Sequence, residues 1–256
     1  MQISEGDLVA LEQHIDLLKN RSFRQSLFCH ADMPLKRQID PDQIAGLYFA
    51  GQFKLDSDRQ TLHTAEAVKF VTPSGVSFSS SSPLVNAALV HLNDQWPRAV
   101  SLDALSEASA AALDSKAEPT NLSVEKQNLR LHLIQCLASG LLQAFSDPGD
   151  CVSIPTERPL SSRLARLQAG LGMSVTNRRH EPVMLDEVSR NLLLHLDGEH
   201  DRPALLQMLI SAVDRGELSI LKNEIPASSG EAVREILEQT LEQSLASLAS
   251  QALFVA

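Results

Sequence analysis

Twice along this chain an apolar residue returns at every fourth position: Leu129, Leu133, Leu137 and Leu141, then Val233, Leu237, Leu241 and Leu245. Such a repeat draws one stripe down an α-helix, and the stripe has to be covered by other elements. Shorter stripes precede each of them, at Val85, Leu89 and Leu92 and at Leu205, Leu209 and Val213. Ser82 before Pro83, Asp201, and Ser228 with Glu231 supply N-terminal caps, while Gly198 and Gly216 stand where left-handed C-terminal caps belong. The pattern predicts a mostly helical α+β chain: an N-terminal helix and a small β-hairpin region, followed by two tandem winged-helix-like units near 82–154 and 183–256.

The remaining segments fill in this plan. Leu8, Leu11, Ile15 and Leu18 follow Ser4 and predict a first helix ending near Asn20. Alternation on either side of Pro73-Ser74-Gly75 predicts a hairpin over 67–79. A polar connection over 114–123 precedes the long third helix, and Asp147-Pro148-Gly149-Asp150 reads as the turn of a hairpin that closes the first unit. Beyond residue 155 the composition shifts. Leu160, Leu164, Leu167 and Leu171 read as the buried stripe of a short helix, with Arg163 and Arg166 on its exposed side, and MSVTNRR reads as a strand. The expected division is 1–155 and 156–256.

Composition excludes several function classes. With 22 Lys+Arg against 32 Asp+Glu the formal charge is -10, which argues against a general phosphate-backbone binder. Aromatic residues make up 4%, too few for base-stacking platforms. No apolar run is long enough to span a membrane, and Ser4, Glu5 and Asp7 do not begin a secretion signal, so the expected location is cytoplasmic. Cys29, Cys136 and Cys151 are widely spaced and read as buried or idle thiols in a reducing compartment.

No metal, cofactor or catalytic residue is assigned by motif. The nearest thing to a nucleotide-binding glycine turn, Gly170-Leu171-Gly172, follows a helix and not a strand. His195 and His200 are five apart, a spacing that places their rings on different faces of a helix and favours a polar turn around Gly198. Cys29, His30 and Asp32 are the one faint catalytic grouping, but Cys29 and His30 as strand neighbours would point to opposite faces. The glutamates of the last helix, Glu231, Glu235, Glu238 and Glu242, read as a solvated face.

Two basic clusters stand against the acidic background. One holds Lys19, Arg21, Arg24, Lys36 and Arg37; the other holds Arg158, Arg163, Arg166, Arg178, Arg179 and His180. Arginine in such a cluster either pairs with the chain's own carboxylates or docks an acidic partner. The partner-docking candidates are Arg21, Arg24, Arg158, Arg163, Arg166, Arg178, Arg179 and His180.

Six segments together resemble one family: NRSFRQSLFCHAD (20–32), GLYFAG (46–51), QWPRAVSLDAL (95–105), ERPLSSRLARLQA (157–169), VTNRRHEPVMLDE (175–187) and LDGEHDRPALL (196–206). They look like the regulatory region downstream of the catalytic domain in bacterial methyltransferases related to the outer-membrane-protein lysine methyltransferases, ending in a winged-helix domain. The resemblance implies a regulatory domain over 1–155 and a winged-helix domain over 156–256. It places the S-adenosylmethionine site in an upstream domain, so no catalytic or cofactor residue carries over. The chain is therefore expected to be no enzyme on its own but a regulatory or substrate-docking module of a protein methyltransferase, acting in cis or in trans. Its expected partners are a methyltransferase catalytic domain or that enzyme's protein substrate, without membrane. A tandem winged-helix nucleic-acid binder is the rival reading, opposed by the few basic residues on the third helix of each unit: Lys126 and Arg130 in the first, Arg234 in the second.

Overall fold

The computed structural model describes residues 8–23, 28–30, 32–34, 40–55, 67–112, 119–218, 221–222, 225–226 and 230–255. The chain divides into two compact units, Met1–Ile39 and Asp40–Ala256. In the first, helix α1 (Leu8–Leu18) ends through Asn20, whose φ of 49° turns the chain, and the predicted N-cap Ser4 lies outside the described residues.

The second unit begins with a 3-10 turn over Pro41–Ile44, capped by Asp40, whose carboxylate accepts from the Asp42 N–H at 3.0 Å. Strands β1 (Tyr48–Ala50) and β2 (Lys54–Leu55) follow. Between them, a Cβ added to Gly51 would meet the Phe53 ring at 2.3 Å and Leu142 at 2.7 Å, so only glycine lets the backbone approach these side chains. Strands β3 (Val68–Val71) and β4 (Ser77–Ser80) are the predicted hairpin, turning at Gly75 with φ 87°. Helix α2 (Pro83–Gln95) starts as its sequence requires: the Ser82 hydroxyl accepts from the Val85 N–H, and Pro83 fills the first turn. Strand β5 (Val100–Ser101) leads into α3 (Leu102–Ala112), and α4 (Pro119–Ala138) precedes β6 (Gln143–Phe145).

The third helix of this half starts at Pro119, earlier than the polar connection predicted. The hairpin expected around 147–150 is not formed locally. Strand β6 instead pairs antiparallel with β1, which also pairs β5, giving the sheet order β5-β1-β6, while Cys151 bridges to Val255 near the far end of the chain. The turn chemistry of Asp147-Pro148-Gly149-Asp150 bends the chain, but long-range pairing decides where the strands go.

The C-terminal part comprises α5 (Arg163–Leu171), the hairpin β7 (Ser174–Thr176) and β8 (Pro182–Met184), α6 (Glu187–Leu194), α7 (Arg202–Asp214), the short ribbon β9 (Leu221–Lys222) and β10 (Ile225–Pro226), and α8 (Gly230–Ser250). Ser162, Asp186 and Asp201 cap α5, α6 and α7 through side-chain oxygens that accept N–H groups three residues on. Ser228, the predicted cap of α8, lies outside the described residues. The predicted mostly helical α+β class with a C-terminal winged helix is what the structure shows.

Two separate hydrophobic cores lie within the second unit. One gathers Phe49, Phe70, Leu89, Leu92, Leu105, Leu129 and Leu133; the other gathers Leu192, Leu193, Leu205, Leu241, Leu245 and Phe254. The leucine repeats on α4 and α8 thus end in different cores. Burying each such side chain contributes about 1.5–3 kcal/mol.

Candidate partner-docking site

The second basic cluster divides into two groups with different surroundings. The first is built at the tip of the β7–β8 hairpin. Asn177 organises that tip: its side-chain oxygen accepts from Arg179 N–H at 2.8 Å and Glu181 N–H at 2.9 Å, and its amide donates to Glu181 and to the Gln251 carbonyl, both at 3.0 Å. His180 then turns the chain at φ 60°. This geometry projects Arg178 and Arg179 toward the N-terminal core.

Arg178 donates from Nε and Nη2 to the two carboxylate oxygens of Asp150 at 2.8 and 2.7 Å, a bidentate pair. Arg179 lies over the Trp96 ring at 4.0 Å and near the Phe145 ring at 5.1 Å, and donates to the Pro97 carbonyl at 2.6 Å and to the Gln143 side-chain oxygen. Trp96 in turn donates through Nε1 to the Ser250 carbonyl at 2.7 Å. Aromatic faces attract a guanidinium, and a half-buried cation so surrounded is held in one geometry. Burial pulls the Arg179 pKa below its ordinary value and pushes the Cys151 thiol up, an effect the Arg179 charge opposes. A cavity of about 210 Å³ opens here, lined by Pro97, Phe145, Cys151, Arg178, Arg179 and His180 among others. Trp96 stands at this seam and joins the two parts.

The second group lies on and before α5. The guanidinium groups of Arg158, Arg163 and Arg166 take part in no ion pair or hydrogen bond among the described residues, although the Arg158 carbonyl accepts from the Thr156 hydroxyl at 2.9 Å. The helix itself is oriented differently from the expectation. Its buried side chains are Ala165 and Ala169, while Leu164, Leu167 and Leu171 are 53%, 65% and 84% exposed. These three leucines of the expected stripe are therefore outside, while Leu160 precedes the helix, is half-buried and bridges to Asp197. Small alanines at i and i+4 let α5 approach α6 closely, and Arg190 of α6 donates to the Ala169 carbonyl at 2.7 Å. Sequence reading weighed hydrophobicity and missed that the helix packs through its smallest residues; the signal was Ala165 and Ala169 at helical spacing.

Of the first cluster, Arg21 pairs with Asp16 at 3.3 Å, and Arg24, Lys36 and Arg37 lie outside the described residues. Cys29 is exposed and outside any strand, so the reading of a buried thiol on a strand is corrected. Cys136 is the buried thiol, its pKa pushed up to about 12 by burial. The reading of His195 and His200 on different helical faces is also corrected. Helix α6 ends at Leu194, the chain reverses at Gly198 with φ 84°, and the two rings meet edge-on with centroids 5.8 Å apart. Asp197 accepts from His200 Nδ1 at 2.9 Å; burial pushes its carboxyl up, but hydrogen bonds from Glu199 and His200 outweigh that and hold it at about 2. Burial, with His200 beside it, keeps His195 below its ordinary value.

Gly170 and Gly172 stand at the C-terminal end of α5, where carbonyl groups point outward. Among the described residues no strand runs through glycine into a helix start, so no residue is assigned here to S-adenosylmethionine. No group of His, Cys, Asp or Glu among the described residues has the geometry to hold a metal ion. No described helix is long and apolar enough to cross a membrane.

The fold and the α5 face define a winged-helix domain that follows a separate helical and sheet core. Residues 157–253 match the family model described as PKMT, C-terminal winged helix domain. The whole chain shares its fold with PKMT2 from Rickettsia typhi, at TM-score 0.83 and 22% identity, covering 98% of this chain and 50% of that one. The PKMT2 structure in complex with AdoHcy gives TM-score 0.84 and 23% identity with the same coverage. Two uncharacterized proteins of Rickettsia prowazekii (strain Madrid E) are also similar: RP789, 23% identical over 98% of this chain and 46% of its own length, and RP027, 22% identical over 78% and 83%. The chain thus spans about half the length of RP789 and of PKMT2. These findings overturn the expectation that the chain is no enzyme on its own: chains of its fold over 98% of its length are PKMT2 structures, and one holds AdoHcy.

Proposed function

We propose that this chain works within a protein-lysine methyltransferase as the part that receives a protein partner, either the protein substrate or another portion of the enzyme. One observation carries the reading: in a chain of net charge -10, Arg158, Arg163 and Arg166 meet no carboxylate among the described residues, while Arg178 and Arg202 each have one. Charges held out of internal pairs on a rigid helix steer and orient an oppositely charged partner. The division at 155/156 belongs to the same proposal and is supported by the two hydrophobic cores on its two sides.

The rival nucleic-acid reading gains nothing from the fold. Helix α7 carries Arg202 at its start, engaged by Glu242 at 2.8 Å, and α8 carries Arg234 engaged by Glu238 at 3.1 Å. The test is methyl transfer from labelled S-adenosylmethionine to a protein acceptor by enzyme carrying this chain, with Arg158, Arg163 and Arg166 all changed to Ala. The proposal expects KM for the protein acceptor to rise or the partner portion to be lost from the purified enzyme. Unchanged KM with intact composition would remove the docking role from these arginines.

A further inference from the structure

The arginines of α5 do not stand alone, and the apolar residues beside them decide what kind of partner fits. At 100° per residue, Leu164, Leu167 and Leu171 fall within about 60° of one another around α5, and Arg163 and Arg166 lie along one flank of that ridge. On the far side Ala165 and Ala169 are buried. The helix therefore presents an apolar ridge to solvent, flanked by the exposed Arg163 and the half-buried Arg166. Met184 adds to the exposed apolar surface at 72%, on β8 opposite Ser174 of β7, just past the end of α5.

An exposed apolar ridge of this length is uncommon on a surface that nothing covers. Three leucines at i, i+3 and i+7 on a helix fixed by its alanine side form a straight ridge about two turns long. Such a ridge matches a second helix laid along it, whose own apolar residues drop between the leucines. The neighbouring guanidinium groups select the sign of that helix. Arg178 is satisfied by Asp150 and Arg179 is enclosed at the seam, whereas the guanidinium groups of Arg163 and Arg166 meet no carboxylate among the described residues, so an acidic partner complements them.

We infer that α5 is a helix-docking surface whose occupant is an acidic amphipathic helix of a partner protein, with leucine-type residues seated on Leu164, Leu167 and Leu171 and carboxylates paired with Arg163 and Arg166. The inference rests on the docking reading above and narrows it to a partner chemistry. The leucines supply the contact area and set the dissociation rate; the arginines fix register and hasten encounter.

The test uses the full chain and a labelled synthetic helix bearing leucines at i, i+3 and i+7 with flanking glutamates, read by fluorescence anisotropy. Two comparators share its leucines and length: one has lysine in place of glutamate, and one has the same residues scrambled out of helical register. The acidic helix is expected to bind saturably and at least about tenfold more tightly than either comparator. Leu164→Ser with Leu167→Ser, both at exposed positions, should abolish binding with the circular dichroism unchanged. Arg163→Ala with Arg166→Ala should weaken it and flatten its salt dependence. If the scrambled acidic peptide binds as tightly and only the arginine variant matters, the arginines dock anions and the helix inference is overturned while the docking reading stands. If no acidic peptide binds, both fail. A sedimenting dimer of the wild-type chain that the leucine variant converts to monomer would instead make a second copy the occupant, and would overturn the inference.

Discussion

Arg179 and Arg163 are both arginines of the same winged-helix domain, yet one is enclosed by the rest of the chain and the other pairs with no acid among the described residues. Arg179 lies between Trp96 and Phe145 and donates to Pro97 and Gln143, so its removal leaves an aromatic slot and two unpaired acceptors. Arg163 sits on a helix held by other side chains, through the buried Ala165 and Ala169 and through Gln168, which bonds Thr176 of β7. The difference teaches that a cluster of arginines in sequence is not one functional surface. The hairpin tip uses its arginines to join two cores, and α5 keeps its own available.

The largest effect should come from the seam. Arg179→Ala is expected to lower unfolding free energy by about 2–3 kcal/mol, from lost stacking and two stranded acceptors, measured by urea denaturation. Trp96→Phe keeps an aromatic face but strands the Ser250 carbonyl, and should cost about 1–2 kcal/mol. A seam that tolerates both changes would mean that Arg179 is as free as Arg163.

Acid sharpens the comparison from inside the winged-helix domain. The Asp197 carboxyl sits at about 2 in the folded chain, below its ordinary value of 3.8. Its contribution is fully present above the unfolded value and is lost as pH falls through the folded one, so the loss should develop between roughly pH 4 and 2. Exposure of the carboxylate limits the effect to about 1 kcal/mol, and Asp197→Asn should flatten that part of the pH profile. His195 adds a step at higher pH: with its folded pKa below the ordinary 6.5, stability is complete above that value and falls as the unfolded ring takes up its proton. Arg178→Ala should cost still less, under about 1 kcal/mol, because its pair with Asp150 is exposed on both sides.

Much of this fold was legible in sequence because local signals and tertiary need agreed. Ser82-Pro83, Asp201 and the Pro73-Ser74-Gly75 turn each do in the structure what their chemistry favours locally. The failures come where a distant partner decides. Strand β6 left its neighbouring turn to pair with β1, almost a hundred residues back, and no periodicity around Asp147 carries that choice. The α5 stripe was assigned inward because leucine outranks alanine in hydrophobicity, yet close helix packing selects the smaller residue. Of the candidate site, the arginines were visible as a cluster, but only three-dimensional pairing separated Arg178 and Arg179 from Arg158, Arg163 and Arg166. His195 and His200 meet because the helix stops at Leu194, one residue before the spacing rule could apply.

The smallest predicted effect is also the most direct test. Urea denaturation of Arg163→Ala with Arg166→Ala, run beside Arg179→Ala, measures whether the two arginine groups differ as described. The double variant should unfold within about 0.5 kcal/mol of the wild type, as surface changes away from ion pairs do, while the single seam variant falls well below both. A double variant that loses several kcal/mol while Arg179→Ala loses none would show that the α5 arginines hold the fold together, and would contradict their availability for a partner.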